Sequence, residues 1–301
     1  MARKHQICVL ICTFKRPELL KNLLSKLEGQ ETEGLFEYSV VIVDNDRSES
    51  ARDTVESYAR QSKISISYYV EPEQNIALAR NMALINAKGD FVAFIDDDEV
   101  PIKSWLLNLY KALHYFASDG VLGPVLPWFA KEPPKWIVKA RLFDRPIHPS
   151  GYVLGWKNTR TGNALVTKKL FKGDRKWFNR DFGSGGEDRD FFRRKIDEGN
   201  RFVWCNEAPV FEVVPPERWK RKVLLKRALI RGRVAINSRV SRPRNLLISM
   251  FAIVVYSGCL PLFIALGHHV FMKFLIKDFD HIGKVMAFLG IEAVKERYIT
   301  H

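Results

Sequence analysis

Three consecutive carboxylates follow an apolar segment of the chain: Asp96, Asp97 and Asp98 come directly after Phe91–Ile95. Because side chains alternate along an extended chain, Asp96 and Asp98 are expected on one side. Two carboxylates there repel each other without a cation, and hard oxygen ligands suit Mg²⁺ or Mn²⁺ held together with substrate phosphates. The triplet therefore predicts a divalent metal site, with a solvated acidic turn as the alternative.

A second acidic group lies at residues 183–190, which read GSGGEDRD. Its glycines predict a flexible turn, after which Glu187 and Asp188 begin a helix. Acidic residues there can simply stabilise the helix dipole. The functional interpretation is a general base, since a carboxylate beside a metal-bound substrate could take the proton from an attacking hydroxyl.

The elements that must position these carboxylates alternate between strand and helix. Apolar runs predict strands at residues 7–13, 38–44, 64–70 and 91–95, and helices at 17–28, 50–61 and 75–87. The alternation predicts an α/β fold with a mostly parallel, Rossmann-like sheet and helices on both faces. Ligands bind such sheets at the carboxyl ends of the strands. The first strand is followed by no G-x-G-x-x-G, and the chain has no G-x-x-x-x-G-K-[ST], which argues against dinucleotide and P-loop sites.

The net charge of the 301-residue chain is +14, and most of it is local. Residues 218–244 contain 11 basic residues and no acidic one. They are followed by an uncharged run, in which Leu246–Gly267 is 22 residues long, enough to cross a bilayer core of about 30 Å. The basic block predicts a helical collar that stays cytoplasmic and binds an anionic membrane, with no nucleic acid as partner.

Gly258 and Pro261 interrupt the uncharged run. A single span and a hairpin broken near Pro261 are both open, and the hairpin is favoured. The predicted domains are a catalytic domain at 1–217, the collar at 218–244 and membrane-associated helices at 245–301. Four cysteines without metal-ligand spacing indicate a reduced catalytic domain on the cytoplasmic side of the inner (plasma) membrane.

Six motifs in order carry a resemblance to a known family. ICTFKRP at 11–17, VIVDND at 41–46, EQNIALARN at 73–81, GDFVAFIDDDEVP at 89–101, RTGNALV at 160–166 and GSGGEDRDF at 183–191 resemble the family 2 glycosyltransferases of the GT-A fold. The segment VFEVVPPERW at 210–219, with the basic tail, resembles bacterial membrane-bound members that build surface polysaccharides. The resemblance covers residues 6 to about 220.

The resemblance implies a role for each matching position. The nucleotide would be held by Thr13, Arg16, Asp44, Asn75, Arg80 and Asp96. The donor sugar would meet Asp97 and Asn163. A Mn²⁺ or Mg²⁺ ion would be bound by Asp98, Asp96 and Glu212, the last standing where many relatives have a histidine. Asp188 would be the general base, with Glu187 beside it.

The reaction that the resemblance implies is an inverting, metal-assisted sugar transfer. The donor would be a nucleoside diphosphate sugar, with uracil the expected base, and the acceptor a hydroxyl of a lipid-linked glycan. One alternative is a polyprenyl-phosphate sugar synthase, whose ionised acceptor has less need of a base. Another is a non-enzymatic basic protein that binds a membrane or nucleic acid, which leaves the ordered acidic motifs unexplained.

Overall fold

The computed structural model describes residues 3–173, 176–183, 185–237, 243–291 and 294. The chain divides into two compact units. The first consists of Met1–Pro127 with Arg145–Val213, and the second of Trp128–Asp144 with Val214–His301.

The strands of the described residues form two sheets. In chain order they are β1 (His5–Thr13), β2 (Phe36–Asp44), β3 (Ser65–Val70), β4 (Phe91–Ile95), β5 (Glu99–Pro101), β6 (Gly120–Leu122), β7 (Val125–Trp128), β8 (Asn163–Thr167), β9 (Phe202–Trp204) and β10 (Val210–Val213). The large sheet has the order β3-β2-β1-β4-β8-β6-β9, and a small one has the order β5-β10-β7. In the large sheet β1, β2, β3 and β4 run parallel, and β8 is antiparallel to both β4 and β6.

The helices of the described residues follow the predicted alternation in the first unit. They are α1 (Pro17–Leu27), α2 (Arg52–Ala59), α3 (Ile76–Asn86), α4 (Trp105–Tyr115), α5 (Lys135–Ala140), α6 (Glu187–Asp197), α7 (Arg221–Asn237), α8 (Pro243–Ala265) and α9 (His268–Phe288). Four short 3₁₀ helices complete the described structure.

Two apolar layers cover the large sheet. Alternate residues of β1 point to opposite faces, so Val9 joins the core made with α1, α2 and α4, whereas Leu10 joins the core made with α3 and α6. The leucine stripe of α1 is buried in the first layer, and Phe191 and Phe192 of α6 in the second. The predicted α/β architecture with helices on both faces of a mostly parallel sheet is confirmed.

The second unit is helical and has its own small core. Ile137 of α5, Leu224 and Ala228 of α7, and Ile276 of α9 are buried together. The predicted collar at 218–244 falls mainly on α7, and its residues 238–242 lie outside the described part of the chain.

The predicted break near Pro261 is wrong. Helix α8 continues through Pro261 to Ala265, and the chain reverses at Gly267, whose φ is +111°. A proline removes one N–H from a helix, whereas a positive φ is a conformation that ends a helix and that glycine adopts readily. The glycine therefore sets the turn between α8 and α9.

Candidate active site

The carboxyl ends of neighbouring strands bring the predicted nucleotide residues together. Thr13 ends β1 and is in register with Asp44 at the end of β2. The next strand, β4, pairs with β1 and ends at Ile95, directly before the acidic triplet. The parallel topology thus gathers Thr13, Asp44 and residues 96–98 at one edge of the sheet, as predicted.

Asp44 is buried and shapes the loop that follows β2. Its carboxylate accepts hydrogen bonds from the N–H groups of Asp46 (3.1 Å) and Ala51 (2.8 Å) and from the hydroxyl of Tyr68 (3.0 Å). Burial raises the pKa of Asp44, and these hydrogen bonds partly counteract it. The nucleotide contact predicted for Asp44 stays a prediction, and its observed role is to organise this loop.

The acidic triplet is not extended, so the alternation predicted for it is wrong. Strand β4 ends at Ile95, and the chain turns so that the N–H of Glu99 donates to the carbonyl of Asp96. In the turn Asp97 and Asp98 share Arg16, whose Nη1 lies 3.1 Å from Asp97 Oδ1 and 3.3 Å from Asp98 Oδ2. Alternation holds only while a chain stays extended.

Asp97 is the most enclosed carboxylate of the triplet. Its side chain is 6% exposed, against 15% for Asp98 and 47% for Asp96. It accepts the hydroxyl of Thr13 at 2.8 Å. Thr13, Arg16 and Asp97 therefore form one bonded group that joins the first loop to the turn after β4.

Arg80 connects the acidic turn to the predicted base motif. Its guanidinium lies 3.4 Å from Asp96 Oδ1 and forms a buried ion pair with Glu187 at the start of α6. Gly186, which precedes α6, has a φ of +93° that favours glycine. Glu187 is buried by this pairing, and Asp188 next to it remains partly exposed. The two adjacent carboxylates therefore differ in environment, and Asp188 is the more exposed of the two.

Several carboxylates lie close to Asp98. Burial, Asp97 and Glu212 raise the pKa of Asp98 to about 7, although Arg16 acts against them. Glu212 forms an ion pair with Arg145. Hard oxygen donors are suited to Mg²⁺ or Mn²⁺, so the chemistry of these carboxylates fits such an ion. Within the described residues, however, no three acidic, histidine or cysteine side chains are arranged as a metal site.

The two asparagines predicted at the site make mainly structural contacts. Asn75 caps α3 by accepting the N–H groups of Ala77 and Leu78, and it donates to the carbonyl of Arg180. Asn163 is completely buried. It accepts the indole N–H of Trp105 (2.8 Å) and donates to the carbonyls of two further residues, Pro124 and Ala208. Its amide therefore joins β8 to α4 and to two loops, and its contact with the donor sugar stays a prediction.

Arg160, which the motifs did not single out, lies near Glu99 and Asp188. Asn163 pairs with Ile95, so the chain just before Asn163 passes the acidic turn. A Cβ on Gly162 would lie 2.7 Å from Glu99 Oε1 and 3.2 Å from Asp96 Oδ2. Burial and the neighbouring Arg145 lower the pKa of Arg160 to about 10, which leaves it charged at pH 7. The available signal was a basic residue directly before the TGN of residues 161–163.

Comparisons with known proteins identify the family of the chain. Residues 8–182 match the sequence model of the family described as Glycosyl transferase family 2. The succinoglycan biosynthesis protein ExoM of Rhizobium meliloti is 34% identical over 224 residues, which are 74% of this chain and 71% of that protein. The chondroitin synthase of Escherichia coli is 24% identical over 245 residues, 70% of this chain and 35% of its own length.

A solved structure shares the fold. The structure of TarS residues 1–349 from S. aureus in complex with UDP superposes with a TM-score of 0.54 at 18% identity, and the match covers 96% of this chain and 93% of that one. At this identity the likeness concerns the fold, and it confirms the predicted GT-A architecture.

Proposed function

This chain belongs to glycosyl transferase family 2, and we propose that it transfers a sugar from a nucleoside diphosphate donor, with UDP as the expected carrier, to a hydroxyl of a lipid-linked glycan during surface polysaccharide synthesis. The observation that carries the proposal is the Arg80 link between Asp96 and Glu187. It ties the start of α6 to the edge of the sheet where family members are expected to bind the nucleotide.

The proposed reaction is a direct displacement with inversion. Asp188 accepts the proton of the acceptor hydroxyl, whose oxygen forms a bond to the anomeric carbon. The bond between that carbon and the diphosphate breaks, and the diphosphate leaves with the electron pair. Glu187 keeps its ion pair with Arg80 and so positions the first turn of α6. The ionisable group that can meet the acceptor is therefore Asp188.

The residues that would hold a divalent ion are Asp98, with Asp96 and Glu212 near it. A bound Mg²⁺ or Mn²⁺ neutralises negative charge on a leaving diphosphate. Support comes from the crowding of carboxylates that raises the pKa of Asp98 to about 7.

Arg160 is proposed to face the donor diphosphate. Arg16 and Arg80, which the resemblance assigns to the nucleotide, are both occupied by carboxylates. Arg160 lies within ion-pair distance of no carboxylate in the described part of the chain, although Asp188 and Glu99 attract it. A guanidinium in that position is suited to bind phosphate oxygens.

The enzyme is proposed to work at the cytoplasmic face of the inner membrane. The basic residues of 218–244 favour anionic headgroups, and Asn245–Ala265 is the one described helix long and apolar enough to cross a membrane. An acceptor carried on a lipid stays in that membrane, so attachment keeps the enzyme near its substrate.

A screen of nucleotide sugars tests the proposed function. Purified full-length protein is incubated with each candidate donor, with Mg²⁺, Mn²⁺ or EDTA, and release of the nucleoside diphosphate is measured. We expect metal-dependent release from one donor, increased by a membrane extract that contains lipid-linked glycans. Product formed with polyprenyl phosphate as the sole acceptor would overturn the hydroxyl acceptor in favour of a polyprenyl-phosphate sugar synthase.

A further inference from the structure

Helix α8 carries a long apolar surface that the described protein leaves uncovered. The segment Asn245–Ala265 has a mean hydropathy of 2.2, and only 6% of its most apolar part is buried. Phe251 and Val254 are 72% and 71% exposed, and Leu247 and Leu262 continue the same stripe along the helix. At 1.5 Å per residue the 21-residue segment is about 31 Å long. By length alone, α8 could either cross a bilayer or lie within one leaflet.

Contacts with α9 extend along most of α8. Near the turn, the rings of Phe263 and Phe274 stack with centroids 4.0 Å apart. In the middle, the hydroxyl of Ser257 donates to Asp278 at 3.0 Å. Towards the start of α8, a hydrogen bond of 3.2 Å joins Ser249 Oγ and His281 Nδ1. The two helices are therefore an antiparallel hairpin, and any depth that α8 reaches in a membrane is shared by α9.

Helix α9 is also fixed to α7. Arg231 of α7 lies 3.0 Å from Asp280 of α9. A Cβ on Gly232 would lie 2.3 Å from the carbonyl oxygen of Asp280, and one on Gly283 would lie 2.4 Å from that of Leu229. The two backbones thus approach as closely as glycine permits, so α9 cannot leave α7 to enter a membrane without breaking this packing.

The charges of α9 oppose a membrane-spanning hairpin. Lys273 and Lys277 are exposed, and Asp280 and Lys284 follow on the same helix. If α8 crossed the bilayer, these side chains and the basic α7 would enter the hydrocarbon, where charged groups are strongly disfavoured. When α8 lies parallel to the surface, its apolar stripe enters the acyl chains and the lysines of α9 remain at headgroup level.

We propose that α8 is a monotopic anchor, which lies in the plane of one leaflet of an anionic bilayer and does not cross the bilayer. It is held there as the lipid-facing half of the α8–α9 hairpin. The inference deepens the proposed membrane location, on which it rests. The occupant of the exposed stripe is the acyl layer of anionic lipids, because the 11 basic and no acidic residues of 218–244 directly precede the stripe in the chain.

Depth measurements by electron paramagnetic resonance test the orientation. Single cysteines that carry a nitroxide replace Leu247, Phe251, Val254 and Leu262 in the full chain, with Cys12 and Cys259 changed to serine. Each protein is added to preformed vesicles of phosphatidylcholine and phosphatidylglycerol. We expect all four labels to report one similar, shallow depth from their collisions with oxygen and with a water-soluble nickel complex.

Three other results would overturn the proposal. A depth that is greatest at Val254 and falls towards both ends would show that α8 spans the bilayer. Labels that all remain open to the nickel complex on bound protein would show that α8 stays in water. Strong spin–spin broadening that is independent of lipid would show that a second copy of the chain covers the stripe.

Vesicle flotation with a matched pair of variants gives an independent readout. Phe251→Lys places a charge on the stripe and should lower the fraction bound roughly tenfold. Leu35→Lys changes an exposed leucine of the first unit and should leave the fraction bound unchanged. Equal binding by both variants would contradict the anchor. Neither readout requires sugar transfer, so anchoring without turnover would refute the proposed function alone, and turnover without anchoring would refute this inference alone.

Discussion

At the scale of single residues, two adjacent carboxylates of the candidate site, Glu187 and Asp188, have different partners and different exposure. Glu187 is buried against Arg80, whereas Asp188 is partly exposed and its carboxylate accepts the N–H of Arg189 at 2.7 Å. A buried carboxylate in an ion pair is poorly suited to accept a proton, because its charged form is stabilised by its partner. This difference supports the proposal that Glu187 positions the helix and that Asp188 accepts the proton.

Asp188→Asn is expected to lower kcat by roughly 10²- to 10⁴-fold, because an amide cannot take the proton of the acceptor. The KM for the donor should change little. Asp190→Asn is the matched control, since Asp190 lies in the same helical turn and pairs with Arg194 at 3.0 Å. Steady-state kinetics on both proteins, with circular dichroism to verify the fold, check the prediction. Full activity of Asp188→Asn would refute the base assignment.

Arg160→Ala is expected to weaken UDP binding by roughly 10- to 100-fold, because charge-assisted hydrogen bonds to phosphate are lost. Uridine has no phosphate, so its affinity should stay the same. Arg160→Lys should recover part of the UDP affinity as a point charge. Calorimetry with UDP and uridine measures these effects, and Lys157→Ala, an exposed cation nearby in sequence, is the control. Equal losses for UDP and uridine would indicate a structural role instead.

Sequence patterns located most of the residues at the site but not their partners. The positions of Thr13, Asp44 and the acidic triplet follow from strand ends, which local apolar runs define. The pairing of Arg80 with Glu187 joins residues 107 apart, and no local pattern encodes it. The internal hydrogen bonds of Asn163 could not be predicted either, because the burial of a side chain depends on the surrounding elements, which a local motif does not reveal.

At the scale of elements, the parallel half of the sheet was predictable and the rest was not. Strands β1, β2, β3 and β4 are runs of 5–9 residues, largely apolar, each followed by a helix or a turn. Strands β5, β6 and β9 are only 3 residues long, too short for a period to appear in the sequence. Their pairings depend on tertiary contacts across the chain.

Asp119 lies directly before β6 and links this strand to β8 and β9. Its carbonyl accepts the N–H of Thr167, and its carboxylate accepts the N–H of Arg201 at 2.8 Å and lies 2.6 Å from Lys169 Nζ. Burial alone would raise the pKa of Asp119, but the Lys169 and Arg201 hydrogen bonds outweigh it, so the pKa is lowered.

The lowered pKa of Asp119 sets the sign of a pH effect. A carboxylate whose pKa is lower in the folded protein stabilises the fold above its unfolded pKa of about 3.9, and this stabilisation is lost as the pH falls through the folded pKa. Asp119→Asn should therefore cost about 1–2 kcal/mol of unfolding free energy at pH 7, and the difference from wild type should shrink at more acidic pH. Urea unfolding at several pH values measures it.

The control for Asp119 is Asp197→Asn. The Asp197 side chain is 67% exposed and lies 3.8 Å from Arg193, so the change should be nearly neutral at every pH. A pH-independent effect of Asp119→Asn would show that its carboxylate does not contribute through its charge.

At the scale of the whole molecule, the two units are interleaved along the chain. The sequence places a boundary at residue 217, but the second unit also contains Trp128–Asp144. Ile137 of α5 is buried with Leu224, Ala228 and Ile276, which all lie beyond that boundary. A composition shift marks where charge and hydropathy change, and it does not reveal that an earlier segment packs against a later one.

A chain that ends at residue 217 is therefore expected to be poorly soluble. Removal of α7 and α9 uncovers Ile137 and the partly buried Phe143. Exposing a fully buried side chain such as Ile137 costs about 1.5–3 kcal/mol, and Phe143 adds a smaller cost. Soluble yield and light scattering should reveal aggregation even though the first unit keeps its own core. Ile137→Gln with Phe143→Gln in the same truncated chain should restore a monomer, because the exposed apolar surface is then removed. A truncated chain that is monomeric without these changes would show that Trp128–Asp144 does not depend on the later helices, and the boundary at residue 217 would stand.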